Sequence, residues 1–342
     1  MTKRAASVVV CLLAVFFLAG CGGGGGGSSA SRYTGITSPA MVTDNNAEEI
    51  ALQAYQAGDL SASAVSVLGV SGNGNAAVGS PNVLTLVRLL KEGAERMPGP
   101  SNTTVPLNSS TYALPMTVVT IDNTVYDGFG GSITFHLSIN DDTGYFDGTF
   151  RFIDWQGDGG GLISGLANVS GNFNMTGGFF THIRFSFNPI TMEDGLNIAS
   201  IYGTVDLYSD GLSSASASMN IFLQDNTSLE TVWISNYTMN LSEGPDADFD
   251  GEPDYVDATV TGRVYLPNYG YVDVEATTPT PFRYYAGYSF PSSGVLRITG
   301  SGGRSARLVV NSAVPESLGY YVEADLDGIP GYEWSSGDHS WL

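Results

Sequence analysis

This chain of 342 residues is poor in cysteine and in basic residues. Both of its cysteines, Cys11 and Cys21, lie near the N-terminus, and residues 22–342 contain none. This excludes disulfides, a cysteine nucleophile and thiolate-bound zinc or iron–sulfur centres from the rest of the chain. The chain has 13 Lys and Arg residues but 34 Asp and Glu residues, which gives a net charge of −21. Because so acidic a chain repels phosphate backbones, we expect it to bind no nucleic acid.

Motifs that carry catalysis are also scarce. Only three histidines occur, His136, His182 and His339, and they are far apart in the sequence. There is no Gly-x-Ser-x-Gly elbow, no His-Glu-x-x-His and no phosphate-binding loop. The sequence does not exclude a pair of carboxylates for glycoside hydrolysis, because 34 acidic residues supply many pairs. The sequence therefore gives an enzyme no positive support, and we expect a non-catalytic protein.

The first residues have the order of an export signal. Lys3 and Arg4 precede an apolar run, Val8 to Leu18, which is followed by Ala19, Gly20, Cys21 and six glycines. The run is too short to span a bilayer of ~30 Å at 1.5 Å per residue, whereas a charged start and small residues at the end are typical of a cleaved signal.

Leu18-Ala-Gly-Cys21 resembles the bacterial lipobox. The resemblance implies that residues 1–20 are a lipoprotein signal peptide and that Cys21 is acylated and becomes the mature N-terminus. Gly22 stands where an aspartate would favour the inner membrane, so the resemblance also implies the outer membrane, with the leaflet left open. The mature chain would carry a charge of −23, so its attachment must come from the lipid rather than from basic residues. Residues 21–42 are then the lipidated cysteine and a flexible Gly/Ser-rich tether.

Residues 43–100 have a helical pattern. Thr43 and Asp44 suit a helix N-terminus, and a single apolar face follows at 3.6-residue spacing. That face consists of Ile50, Ala51, Ala54 and Tyr55. A second helix is predicted over residues 82–97 and ends at Pro98-Gly-Pro100. Two short helices bury too little surface to fold alone, so we expect them to pack on the segment that follows.

Residues 101–342 alternate between apolar and polar residues, as in antiparallel strands with one buried face. Five of these strand patterns have a glycine in the apolar series: Gly131, Gly148, Gly171, Gly203 and Gly262. Glycine weakens a strand unless the sheet bends there or an aromatic ring lies on the bare backbone. The predicted fold class is therefore α+β, mainly β. A helical pair packs on a strongly curved antiparallel sheet or β-barrel of about a dozen strands.

One acidic loop has the spacing of calcium ligands. Its carboxylates occupy positions 1, 3, 5, 9 and 12 of a twelve-residue frame, a glycine at position 6 allows a sharp turn, and the residue at position 7 would bind through its backbone carbonyl. These residues are Asp246, Asp248, Asp250, Glu252, Asp254 and Asp257, with Gly251. The loop resembles a thrombospondin type 3 repeat, although the cysteines usual in that family are missing. The resemblance implies a calcium site here and no activity, and the alternative is an acidic, solvated turn.

A second acidic segment repeats the first half of this frame. Its candidate ligands are Glu323, Asp325, Asp327 and Glu333. Since Gly331 and Trp334 stand where carboxylates belong, Glu333 would have to substitute. The favoured alternative is a tight hairpin turn at Asp327-Gly328.

Three functions fit this sequence. The first is a lipid-anchored cell-envelope protein, a scaffold, adhesion or binding module that is stabilised by calcium and meets an envelope protein or a glycan. The second is a carrier of an apolar ligand within the curled sheet, as in lipocalin-like barrels. The third is a glycan-active enzyme, which rests only on the available carboxylates and aromatic residues.

Overall fold

The computed structural model describes residues 32–55, 118–156, 162–174, 179–194, 197–210, 214–247, 254–285, 291–311 and 319–341. The predicted signal peptide, Cys21 and the second predicted helix lie outside these ranges. The folded unit begins at Tyr33, inside the range assigned to the tether. The reason is that Ala40 and Val42 are fully buried, so the chain is already packed there.

Most described residues lie in strands, as the alternation predicts. Sixteen strands are found in the described part of the chain: β1 Val118–Tyr126, β2 Ser132–Asn140, β3 Tyr145–Trp155, β4 Leu162–Asn174, β5 Phe179–Asp194, β6 Asn197–Ser209, β7 Ser214–Asp225, β8 Thr231–Glu243, β9 Tyr255–Leu266, β10 Gly270–Ala276, β11 Phe282–Tyr285, β12 Ser293–Thr299, β13 Ser305–Asn311, β14 Gly319–Asp325, β15 Trp334–Ser335 and β16 His339–Ser340.

The strands form a single antiparallel sheet that follows chain order. Each of β1 to β9 pairs with the next, and the sheet continues from β10 through β12, β13, β14 and β15. The short strand β11 pairs with the first residues of β9, beside the part of β9 that pairs with β10. Strand β16 pairs with β14. The sheet is strongly curved, which confirms the predicted fold class, and there are more strands than the dozen expected.

This topology gives the sheet two rims. Because neighbours are antiparallel, the turns after β1, β7, β9 and β14 lie at one rim, and the turns after β2, β6 and β8 lie at the other. The Ile36 N–H donates to Pro267 O in the β9–β10 turn (3.3 Å), so the start of the fold also lies at the first rim. We name that rim the N-terminal rim and the other the distal rim.

One helix, residues 47–55, packs against the apolar face of the sheet. Its predicted face is confirmed, since Ile50, Ala51, Ala54 and Tyr55 are at most 4% exposed. The turn before it is held by Asn46, whose side-chain oxygen accepts the Thr43 N–H (2.8 Å). Within the described residues, no helix has the length and apolar character needed to cross a membrane.

The glycines explain part of the curvature. At Gly203 the backbone has φ +114°, and an added Cβ would lie 2.1 Å from the Asn220 carbonyl oxygen on β7. At Gly171 an added Cβ would lie 2.9 Å from Phe146, so this aromatic ring rests on bare backbone. Both predicted uses of strand glycine are therefore present, a bend and a seat for an aromatic ring.

Candidate metal centres

The longer acidic loop joins β8 to β9 at the distal rim. Residues 248–253, and with them Asp248, Asp250 and Glu252, lie outside the described residues. The base of the loop is a regular hairpin, because the Gly244 N–H donates to Tyr255 O (2.8 Å) and the Asp254 N–H donates to Pro245 O (2.9 Å). The Ala247 N–H approaches the Asp254 carboxylate at 3.4 Å. Predicted ligand positions 1 and 9, Asp246 and Asp254, therefore flank the mouth of the loop.

Asp257, predicted position 12, already has a partner on the sheet. It lies on β9 opposite Arg283 of β11, and both of its oxygens accept hydrogen bonds from that guanidinium at 2.8 Å. The arginine also stacks 3.8 Å from the centre of the Tyr255 ring. A cation at Asp257 would have to compete with this bidentate pair, so a role for Asp257 in fixing β11 on β9 is the one the geometry favours.

Negative charge accumulates beside this loop. Glu243 ends β8, and burial together with the charge of Asp210 in the neighbouring β6–β7 turn raises the pKa of its carboxyl. The negative charges of Glu243 and Asp210 repel each other unless one carboxylate is protonated or a cation binds between them.

The shorter acidic segment forms a more complete candidate site. Strands β14 and β15 pair through Glu323–Ser335 and Ala324–Trp334, which leaves a nine-residue loop at the N-terminal rim. The prediction of a tight hairpin turn at Asp327-Gly328 is therefore wrong, because the loop between the strands is longer than such a turn. Asp325, Asp327 and Glu333 point together, and one carboxylate oxygen of each lies within 4.8 Å of the others.

Backbone hydrogen bonds order this triad. The Asp325 carboxylate, which is buried, accepts the Gly328 N–H (2.7 Å). The Asp327 carboxylate accepts the Ile329 N–H (2.8 Å), and Glu333 accepts the Leu326 N–H (2.9 Å). Three converging carboxylates can supply part of the six to eight oxygens that Ca²⁺ requires, and loop carbonyls and water would supply the rest.

The fourth residue of the predicted set, Glu323, lies apart from the triad. Its carboxylate accepts the Arg307 Nε–H at 2.5 Å, across the β13–β14 pair. The side chain thus joins two strands. In contrast, Glu333 does approach Asp325 and Asp327, as the substitution in the frame predicts.

The histidines each meet a carboxylate, which sequence spacing does not reveal. His136 is 59% exposed and contacts Asp122 of β1. His182 Nε2 lies 3.0 Å from Asp206, which also meets Arg184 at 3.2 Å. His339 Nε2 lies 3.3 Å from Glu48 of the helix. All three are parts of cross-strand or helix–sheet contacts.

The interior of the described sheet is filled with side chains. One crevice there has about 200 Å³ of empty space and lies between Tyr55, Tyr237, Val260 and Phe282. Ligand sites usually measure ~300–1,000 Å³, so this crevice is smaller than a typical ligand site. Trp155 and Tyr237 are fully buried and pack in this interior.

The cross-strand partners of the acidic residues are what the sequence cannot predict. Arg283 and Asp257 are 26 positions apart, and their contact depends on the register of β11 on β9. The spacing Asp325-x-Asp327 followed by Glu333 does signal the triad, because a hairpin brings its two ends together.

No protein-family model, no curated protein and no solved structure matches this chain.

Proposed function

We propose that this chain is a lipid-anchored protein of the bacterial outer membrane, a non-catalytic scaffold, adhesion or binding module that calcium stabilises. The observation that carries the anchor is the tetrad Leu18–Cys21 behind a short apolar run. The geometry supports it, because the folded unit starts at Tyr33, only twelve positions after the cysteine. A lipidated chain of this design stays at the membrane while its sheet presents a surface to an envelope protein or a glycan.

Calcium is the second part of the proposal. It is supported by the triad Asp325, Asp327 and Glu333, whose carboxylate oxygens lie within 4.8 Å of one another. It is also supported by the excess of carboxylates at the 246–257 loop. Both sites lie in hairpin loops, so a bound cation would link the two strands of each hairpin.

The anchor is tested by metabolic labelling with an alkyne analogue of palmitate in a bacterial host. We expect the acyl label on the wild-type chain and its loss in Cys21→Ala, which should move from the membrane to the soluble fraction. Cys11→Ala is the matched control, because that residue leaves with the signal and labelling should persist. Labelling that survives Cys21→Ala would contradict the anchor.

The cation sites are tested by thermal unfolding of the purified protein in millimolar Ca²⁺ and in chelator. A ligand at about 100 times its Kd stabilises the native state by ~2.7 kcal/mol, which corresponds to a rise in Tm of roughly 5–10 °C for a domain of this size. Asp327→Asn and Asp250→Ala should each reduce the rise, one for each loop.

Two further variants are controls for this measurement. Asp141→Asn removes one exposed carboxylate from the β2–β3 turn and should leave the rise unchanged. Asp257→Asn breaks the ion pair with Arg283, so it should lower Tm by the same amount with and without Ca²⁺. A Tm that is equal in Ca²⁺ and in chelator for the wild-type protein would contradict calcium binding.

A further inference from the structure

The turns of the N-terminal rim carry large apolar side chains at their tips. Ile36 is 45% exposed, Phe129 of the β1–β2 turn 69%, Leu229 of the β7–β8 turn 63% and Ile329 of the β14–β15 loop 66%. The antiparallel order of the strands places these four residues at one rim. Exposed apolar residues also occur elsewhere, for example Val118 and Tyr145, but four of them at loop tips on one rim form a set suited to an apolar phase.

Two of these tips are built in the same way. Asp127 accepts the Phe129 N–H at 2.7 Å, and Asp327 accepts the Ile329 N–H at 2.8 Å. In each case the aspartate lies two residues before the apolar residue and fixes the backbone that presents it. The apolar side chains are thus held outward by ordered turns.

Leu229 occupies a backbone conformation that costs energy. Its φ is +61°, a region that glycine or asparagine adopts more readily than a large apolar residue. Asp225 holds this turn, since its side chain accepts the Thr227 N–H (2.6 Å) and its carbonyl accepts the Leu229 N–H (2.8 Å). The presence of a leucine at such a position favours a role for its exposed apolar side chain.

The chain leaves the folded unit at this same rim. Tyr33 is buried against Trp233 and Tyr265, with ring centroids 6.0 and 5.5 Å away. Between it and Cys21 lie residues 22–32, mostly glycine and serine, and this composition predicts a root-mean-square reach of about 17–20 Å at 5–6 Å × √n. An acyl group on Cys21 therefore keeps the N-terminal rim within about that distance of the bilayer.

We propose that the N-terminal rim docks on the lipid bilayer that holds Cys21, with Ile36, Phe129, Leu229 and Ile329 entering its interfacial layer. This inference rests on the proposed lipid anchor. Because the short tether gives an effective concentration in the millimolar range, a few apolar side chains suffice to keep the rim on the membrane. Glu230 and Asp225 at the same rim disfavour anionic headgroups, so the apolar tips and not charge make the contact. The acidic 246–257 loop, at the distal rim, then faces away from the membrane.

The test uses the acylated full-length protein in vesicles of phosphatidylethanolamine and phosphatidylcholine. Single cysteines replace residues at the two rims and carry an environment-sensitive NBD fluorophore. Since Cys21 is acylated in the mature chain, the label goes only to the introduced thiol. The N-terminal rim variants are Phe129→Cys and Leu229→Cys, and Asp141→Cys at the distal rim is the matched control.

We expect the probes at 129 and 229 to shift to shorter wavelength and to lose emission when the vesicles contain brominated acyl chains. The probe at 141 should do neither. Vesicle flotation and the Tm of each variant show that the protein is attached and folded. Attached protein whose probes at 129 and 229 behave like the probe at 141 would overturn the docking while leaving the anchor intact. Protein that does not float with the vesicles would overturn the proposed anchor and the docking with it.

Discussion

Three arginines on the outer face of the sheet share one arrangement. Each guanidinium pairs with a carboxylate on a neighbouring strand and stacks on a tyrosine ring, 3.8–4.2 Å from its centre. The sets are Arg263 with Asp273 and Tyr271, Arg283 with Asp257 and Tyr255, and Arg307 with Glu323 and Tyr332. An exposed ion pair contributes ~0–1 kcal/mol and a cation–π contact about 0.5–1 kcal/mol. In so acidic a protein, these few basic side chains therefore serve mainly to fix strand register.

Asp127 shows how one carboxylate orders a whole turn. Its Oδ1 accepts the N–H groups of Phe129, Gly130 and Gly131 at 2.7–3.1 Å, and its Oδ2 accepts the Gln156 N–H at 2.7 Å. Burial acts to raise the pKa of this carboxyl, but the four backbone hydrogen bonds outweigh it, and the pKa lies below its ordinary value. The ionised form is thus the one that the fold prefers.

This lowered pKa predicts a pH-dependent loss of stability in Asp127→Ala. Since the folded pKa lies below the unfolded one, the stabilisation is present above about pH 4, the ordinary pKa, and is lost as the pH falls through the folded pKa. We expect the variant to lose about 1 kcal/mol at pH 7, because water can partly replace the lost hydrogen bonds of this exposed turn, and progressively less as the pH falls below 4. Urea unfolding over this range measures it, with Asp141→Ala as a control of equal charge change. An equal loss at pH 7 and pH 2 would contradict it.

At the scale of the elements, the bends of the strands depend on close backbone approach. Gly203 and Gly130 both have φ +114°, but only Gly203 has a neighbouring strand where a Cβ would lie. Gly130 lies in the open β1–β2 turn, with nothing within 4 Å of an added Cβ. Alanine substitutions at these two glycines therefore separate the free-energy cost of the backbone conformation from the cost of the clash between strands.

We expect Gly203→Ala to destabilise the protein by more than Gly130→Ala. The turn variant should lose about 1–3 kcal/mol from the positive φ alone. The strand variant should lose at least 1 kcal/mol more, because the Asn220 carbonyl must move. Chemical unfolding of both proteins gives the difference. Equal losses would show that β6 and β7 can separate at this point without cost.

At the scale of the whole molecule, the helix at 47–55 joins distant parts of the sheet. Glu49 accepts a hydrogen bond from the Tyr269 hydroxyl in the β9–β10 turn (2.5 Å), and Glu48 meets His339 of the last strand (3.3 Å). Tyr55 packs on Trp341, with ring centroids 4.9 Å apart. The last described segment therefore packs on the helix of the first, so these two segments contribute to one core.

This closure predicts that Ile50→Ala weakens the whole fold. Ile50 is fully buried, and truncation of such a side chain costs about 2–5 kcal/mol. Leu52→Ala, on the half-buried side of the same helix, is the matched control and should cost less. The midpoint of denaturant unfolding, followed by near-ultraviolet circular dichroism, measures both. Loss of the helix alone, with the sheet still unfolding at the wild-type midpoint, would contradict a common core.

The sequence by itself determines the strands, the buried face of the helix and the positions where strands bend. These depend on local periodicity and on glycine, which a single segment of chain displays. The converging triad is also visible in part, because a hairpin brings Asp325 and Glu333 together wherever the rest of the sheet lies.

Only the tertiary structure decides which side chains meet across strands. Five aromatic residues form one ladder across β6 to β10, and nothing in their spacing announces it: Tyr202, Phe222, Trp233, Tyr265 and Tyr271. The bulge in β8 between Ser235 and Thr238 shifts the register on which such contacts depend. The same holds for Arg283 on Asp257 and for the four apolar tips, which share a rim only because of the strand order. Register and strand order are fixed by the packing of the complete core, and no local pattern contains that information.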